Sequence, residues 1–241
     1  MTATSISPAG ATPTAAPPRI GHAIAVGAAG FAWCSLALGL STVGAMNAAG
    51  SSVILTGTFF YGGIVQLVAG FFALAAGTTF VAAFLTAYGA FWLGYTAIQV
   101  YLAPHIAAQV LAAGAGTGAS QQALAGQAHH AVVQALGVFL IAWLVVTVIF
   151  TIASLGTNAV TLTAFCLLDL TIVLLAAAYL GASSVGVPVD SVLHAAGWAE
   201  IVLAAVAFYV VLAELANDTL HRTVFPLFPL TRFSAPTAPS A

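Results

Sequence analysis

The sequence predicts an all-α membrane protein: six transmembrane helices in a bundle around a central solute path. Three observations predict it. Of the 241 residues 62% are hydrophobic and only 3% are Asp, Glu, Lys or Arg, with mean hydropathy +1.12. Soluble domains carry about a quarter of their residues charged, because charged heads keep the surface wet. Next, several apolar runs reach the roughly 20 residues that cross a hydrocarbon core as a helix. Last, residues 59–92 are apolar enough to cross twice, yet they carry Tyr61, Gln66, Thr86 and Tyr88 among several glycines. A lipid-facing hairpin has no need of that polar set, so this hairpin is read as lining a path for a small solute.

Residues 1–20 are Ala, Thr, Ser and Pro without an apolar period, which predicts a disordered tail before a transmembrane domain at 21–222. The tail lacks the basic start and apolar centre of a signal peptide. The first span covers about 22–46, the second about 53–76. Within the second, Ala69, Ala73 and Gly77 form a small-residue ridge that lets a neighbouring helix approach closely. The third span, about 80–103, is expected to stop at Pro104. From there to His130 the chain is rich in Gly, Ala and Gln, and is read as an extramembrane loop with at most a short surface helix. The fourth, fifth and sixth spans are about 131–153, 159–180 and 192–215. Beyond Phe225 several prolines predict an unstructured end to a second tail, 223–241.

The only basic residues are Arg19, Arg222 and Arg232, all outside the spans. Basic flanks stay on the cytoplasmic side, so both termini are expected there, in the cytoplasmic membrane of the cell. An even number of spans requires the same. With no lysine and a net charge of −2, nucleic-acid binding has no electrostatic basis. Cys34 and Cys166 both fall in apolar runs and are read as reduced, buried packing residues. His22, His105, His129, His130, His194 and His221 lie at span ends or in the long loop. None has a partner at metal-ligand spacing, so neither metal nor cofactor is expected. No nucleophile, base and oxyanion set assembles, and no phosphate-binding Gly-Lys motif is present; the chain does not read as an enzyme.

Charges inside spans need a reason. Asp169 sits among leucines, where an ionised carboxylate is costly unless paired or wetted. Two readings stay open: a proton-sensitive group beside the path, or a neutral acid bonded to Thr171 or to a neighbouring helix. Glu200, Ala207 and Glu214 are spaced seven apart and share one stripe of the sixth helix. Glu214, with Asn217, Asp218, His221 and Arg222, reads as an interfacial cap and ion-pair network. Trp33, Trp92, Trp143 and Trp198 serve as packing or interfacial anchors. Tyr88 differs, since the small residues around it allow close helix contact and its hydroxyl wants a partner.

The motifs Phe60-Tyr61-Gly62-Gly63 with Gln66, Gly77-x-Thr79-Phe80, Thr86-Ala87-Tyr88-Gly89-Ala90-Phe91-Trp92, Ala196-Gly197-Trp198 and Glu214-Leu215-Ala216-Asn217 occur in order across the spans. Together with Arg222-Thr223-Val224-Phe225-Pro226, they closely resemble the acetate uptake transporter family, also called succinate–acetate permeases. The resemblance implies a six-helix bundle assembled as a homo-hexamer, with a substrate path through each protomer. It also implies passage of acetate and related small carboxylates, succinate among them, often described as proton-coupled. The family's hydrophobic constriction carries over onto Phe31, Tyr88 and Leu170, and Ala207 matches a pore-lining position. One motif departs. The family's Asn-Pro-Ala-Pro-Leu-Gly-Leu falls at residues 22–28, where this chain has HAIAVGA and keeps only Gly27. Asp169, Glu200 and the long loop depart as well.

The leading expectation is therefore carriage of acetate or a similar small carboxylate. Ser35, Tyr61, Gln66, Thr86 and Tyr88 would replace water along the path, and Asp169 and Glu200 would be proton-sensitive. Absence of arginine from the spans suits weak binding and rapid release. Two alternatives remain: a channel for ammonia or another small neutral or cationic solute, and a structural membrane-assembly subunit.

Overall fold

A computed structural model describes residues 21–47 and 50–230. Within them six helices are long and apolar enough to cross a membrane: α1 Ala23–Thr42, α2 Gly50–Ala75, α3 Thr79–Gly114, α4 Gln121–Ser154, α5 Ala159–Leu180 and α6 Asp190–Leu220. The tail expected at 1–20 and residues 231–241, with Arg19 and Arg232, lie outside the described residues. Six crossings return the chain to the side on which it began, here termed the terminal side.

Helix starts follow local chemistry. Ser120 Oγ accepts from Ala123 N at 3.2 Å to open α4, and Asn158 Oδ1 accepts from Thr161 N at 2.8 Å to open α5. The α2–α3 turn holds Gly77 at φ +76°, a conformation that favours glycine. Gly77 thus makes the turn, while Ala69 and Ala73 are the buried part of the expected ridge.

Lipid tails are as apolar as leucine, so burial of apolar surface does not by itself draw these helices together; close packing and polar contacts do. α1 packs along α6 and α2, α3 along α2, and α5 between α4 and α6. At the α2–α3 seam a Cβ on Gly89 would lie 2.8 Å from Leu67 N and 2.9 Å from its Cα. Only glycine lets the two backbones sit so close. The centre is aromatic: Phe31 meets Tyr88 edge-on at 5.3 Å, and Phe84 meets Phe165 edge-on at 5.7 Å. Such pairs contribute about 0.5–1.5 kcal/mol each beyond their contact area.

Two stretches differ from the sequence reading. Pro104 does not stop the third span. The chain passes through a π-helical segment, Ile98–Leu102, and Pro104 then falls in the first turn of the continuing helix Ala103–Gly114. Proline is tolerated there because its missing N–H has no helical acceptor in an opening turn. The polar segment before His130 is likewise helical, so α4 runs 34 residues, about 51 Å at 1.5 Å per residue. That exceeds a bilayer core, so the inner ends of this pair project as a helical hairpin on the side opposite the termini. Residues 226–230 are not unstructured either. Ala159 N donates to Phe228 O at 2.9 Å and Leu230 N to Thr157 O at 3.0 Å. Asn217 clamps the residues just before them, its Oδ1 accepting from Val224 N and Phe225 N and its Nδ2 donating to Phe225 O. Of the two thiols only Cys34 is buried; Cys166 is exposed on the outer face of α5.

Candidate functional site

α3 places Phe84, Tyr88, Phe91 and Tyr95 on one face by alternating steps of four and three. α5 does the same with Thr161, Phe165, Leu168, Ile172, Leu175 and Tyr179. With α1 and α6 these faces enclose two cavities stacked along the bundle. The terminal-side cavity, about 50 Å³, is bounded by Ala28 of α1, Phe84 of α3, Phe165 of α5 and Ala207 of α6. The far-side cavity, about 40 Å³, is bounded by Ser35, Tyr95, Thr171, Tyr179 and Glu200, with apolar residues of α4 behind. At about 10–15 Å³ per water-sized group, each has room for about three or four.

Three residues wall both cavities: Phe31, Tyr88 and Leu168. They come from α1, α3 and α5 and are 7%, 1% and 8% exposed. A narrow apolar waist of this kind controls passage by dewetting. Tyr88 is held by Thr147 of α4. The Thr147 hydroxyl donates to Trp143 O at 2.8 Å, so the Tyr88 hydroxyl is the donor in its 2.5 Å bond to Thr147 Oγ1. That bond ties the polar end of the ring into α4 and leaves its edge and face to the waist.

The structure corrects the expected third member of the constriction. Leu170 is 47% exposed on the outer face of α5, and Leu168 stands at the waist. Two residues along a helix is about 200° around it, so the two leucines point opposite ways. Asp169 lines neither cavity. It sits at the α4–α5 seam, where Thr151 Oγ1 meets its Oδ2 at 2.6 Å, while Oδ1 is buried without a partner among the described residues. Of the two readings left open for Asp169, the bond to a neighbouring helix is the one seen, with Thr151 in place of Thr171.

Phe31, Tyr88, Ser35, Glu200 and Ala207 do converge, with Glu200 and Ala207 on opposite sides of the waist. Tyr61, Gln66 and Thr86 do not line either cavity, and no residue of α2 does. The Thr86 hydroxyl is spent on its own helix, reaching Ala82 O at 2.8 Å. Gln66 is fully buried among close-packed backbones, with neither amide atom partnered among the described residues. α2 therefore stands behind the two cavities, screened from them by α1 and α3. Leu168, Thr147, Tyr95 and Tyr179 were missed, although the four-three spacing along α3 and α5 carries three of them.

At the terminal mouth His22 Nδ1 lies 3.1 Å from Glu214 Oε2, joining the first turn of α1 to the last third of α6. Glu214 and Asn217 are thus interfacial fasteners, one gripping α1 and the other the 224–225 segment.

A six-helix membrane bundle with two cavities meeting at an aromatic waist is the architecture of a channel or permease for small solutes. The chain belongs to the GPR1/FUN34/yaaH family, whose model matches residues 5–232. It is 29% identical over 204 residues to acetate permease A of Emericella nidulans, covering 84% of this chain and 64% of that protein. It is 28% identical over 209 residues to the succinate-acetate/proton symporter SatP of Escherichia coli, covering 87% of this chain and 96% of that one. A solved structure of the bacterial acetate channel SatP superposes with TM-score 0.68 at 29% identity, over 87% of this chain and 99% of that chain.

Proposed function

We propose that this protein passes acetate and related small carboxylates, succinate among them, across the cytoplasmic membrane in a proton-linked manner. The observation that carries the reading is the pair of small cavities meeting at Phe31, Tyr88 and Leu168 within a chain whose relatives are named for acetate and succinate. No Lys or Arg occurs in any span, so nothing fixed binds an anion tightly enough to hold it. Protomers assemble as a hexamer, each with its own path, and both termini face the cytoplasm beside Arg19, Arg222 and Arg232. The protein carries no catalytic role.

The test is uptake of labelled acetate into proteoliposomes, corrected for protein-free vesicles, at two external pH values. A proton-linked path takes up more acetate as external pH falls. Excess unlabelled succinate or propionate is expected to compete, and methylammonium is not. Competition by methylammonium alone would establish the cation channel instead, and uptake no greater than in protein-free vesicles would leave only the assembly role.

A further inference from the structure

The far-side cavity holds one feature that a simple anion path does not require. Glu200 lines it while only 4% exposed, and its Oε2 is buried with no hydrogen-bond partner among the described residues. It lies about 4.5 Å along α6 from Leu203, which walls the terminal-side cavity, so it stands close to where the two cavities meet. The ionisable groups facing it are Cys34 of α1, Tyr95 of α3 and Tyr179 of α5; α4 presents Leu136, Phe139 and Leu140. None of these can supply a positive charge, and an isolated carboxylate beside a carboxylate cargo is costly in low dielectric.

The same wall carries hydroxyl donors. Tyr95 accepts from Gln99 Nε2 at 3.1 Å, which leaves its own O–H free to donate, and Ser35 and Tyr179 also line the cavity. The cavity therefore offers one strong acceptor, Glu200, opposite several donors. A carboxylic acid matches that set, with its O–H to Glu200 and its carbonyl oxygen to the hydroxyls. A bare carboxylate has no hydrogen to offer Glu200, and an ammonium ion has no acceptor to offer the hydroxyls.

We propose that Glu200 is the specificity-determining residue that shares one proton with each passing monocarboxylate. This rests on the carboxylate-passage reading above. One proton lies between the two carboxyl groups: an arriving acid brings it and takes it on, or Glu200 gives its own to an arriving carboxylate and is reprotonated from water on the entry side. Every monocarboxylate then crosses with one proton and no net charge.

Proteoliposomes with an encapsulated pH dye, potassium and valinomycin report acetate, protons and voltage dependence together. For the wild type the expected result is one proton per acetate and flux indifferent to membrane potential. Glu200→Gln can donate and accept hydrogen bonds but cannot carry the proton. It is expected either to pass acetate in a potential-dependent way with a proton ratio falling toward zero, or to lose flux by about tenfold or more. Glu200→Asp retains the carboxyl and is expected to restore electroneutral flux. A wild-type proton ratio near zero overturns the proposal without recourse to any variant. So does a Glu200→Gln protein that still carries one proton per acetate. Wild-type vesicles that move no acetate above background defeat the underlying reading instead.

Discussion

Tyr88→Ala is expected to raise the ratio of succinate to acetate flux by about tenfold, a change of about 1.4 kcal/mol between the two barriers. Tyr88 is the waist residue in closest ring contact with Phe31, and its removal merges the two cavities into one continuous lumen. Small solutes gain little from the added width, whereas a four-carbon dicarboxylate, the larger cargo, is slowed less at the waist. The deletion also opens a large void in a packed core, costing about 3–5 kcal/mol. Flux must therefore be measured on protein that elutes like the wild type. Leu170→Ala is the control, because Leu170 faces outward and its truncation should leave the ratio unchanged. An unchanged ratio in well-folded Tyr88→Ala would remove Tyr88 from the selectivity step.

Gly89→Ala is expected to destabilise the bundle. The added carbon would lie 2.8–2.9 Å from the backbone of Leu67, and backbone cannot rotate away as a side chain tip can. α2 and α3 would have to part, at a cost of about 1–3 kcal/mol. Because Gly89 adjoins Tyr88, the same shift reaches the waist. The expected outcome is a lower thermal unfolding midpoint in detergent together with reduced acetate flux. Wild-type stability would mean that the two helices are held less closely than the structure has them.

The six spans were legible because each is an unbroken apolar run bounded by turn residues, and in a membrane length and polarity leave few choices. The extended inner ends of α3 and α4 were not. Pro104 reads as a stop unless a π-helical segment supplies a fresh opening turn, and nothing in the local composition announces that segment. Of the residues that line the two cavities, Phe31, Tyr88 and Ala207 came with the family resemblance, Ser35 with its hydroxyl, and Glu200 as a charge stranded in a span. Leu168 was displaced by two residues to Leu170, because Leu167, Leu168 and Leu170 are chemically alike and only their facing distinguishes them. Tyr61, Gln66 and Thr86 were assigned to the path on polarity alone. Polarity marks a group that needs a partner, and for Thr86 that partner is its own helix. Asp169 makes the same point with a charge: its partner proved to be Thr151 at a seam, away from the path.

In the proposed function the solute travels through the protomer, along the two cavities. The most direct measurement is acetate uptake by Ala207→Phe in proteoliposomes. Ala207 walls the terminal-side cavity and is 5% exposed, so a phenyl ring there has nowhere to go except into a space of about 50 Å³. Uptake is expected to fall to the level of protein-free vesicles while the protein elutes as the wild type does. Undiminished uptake by correctly assembled Ala207→Phe would contradict the account, because the cargo would then be crossing somewhere other than this path.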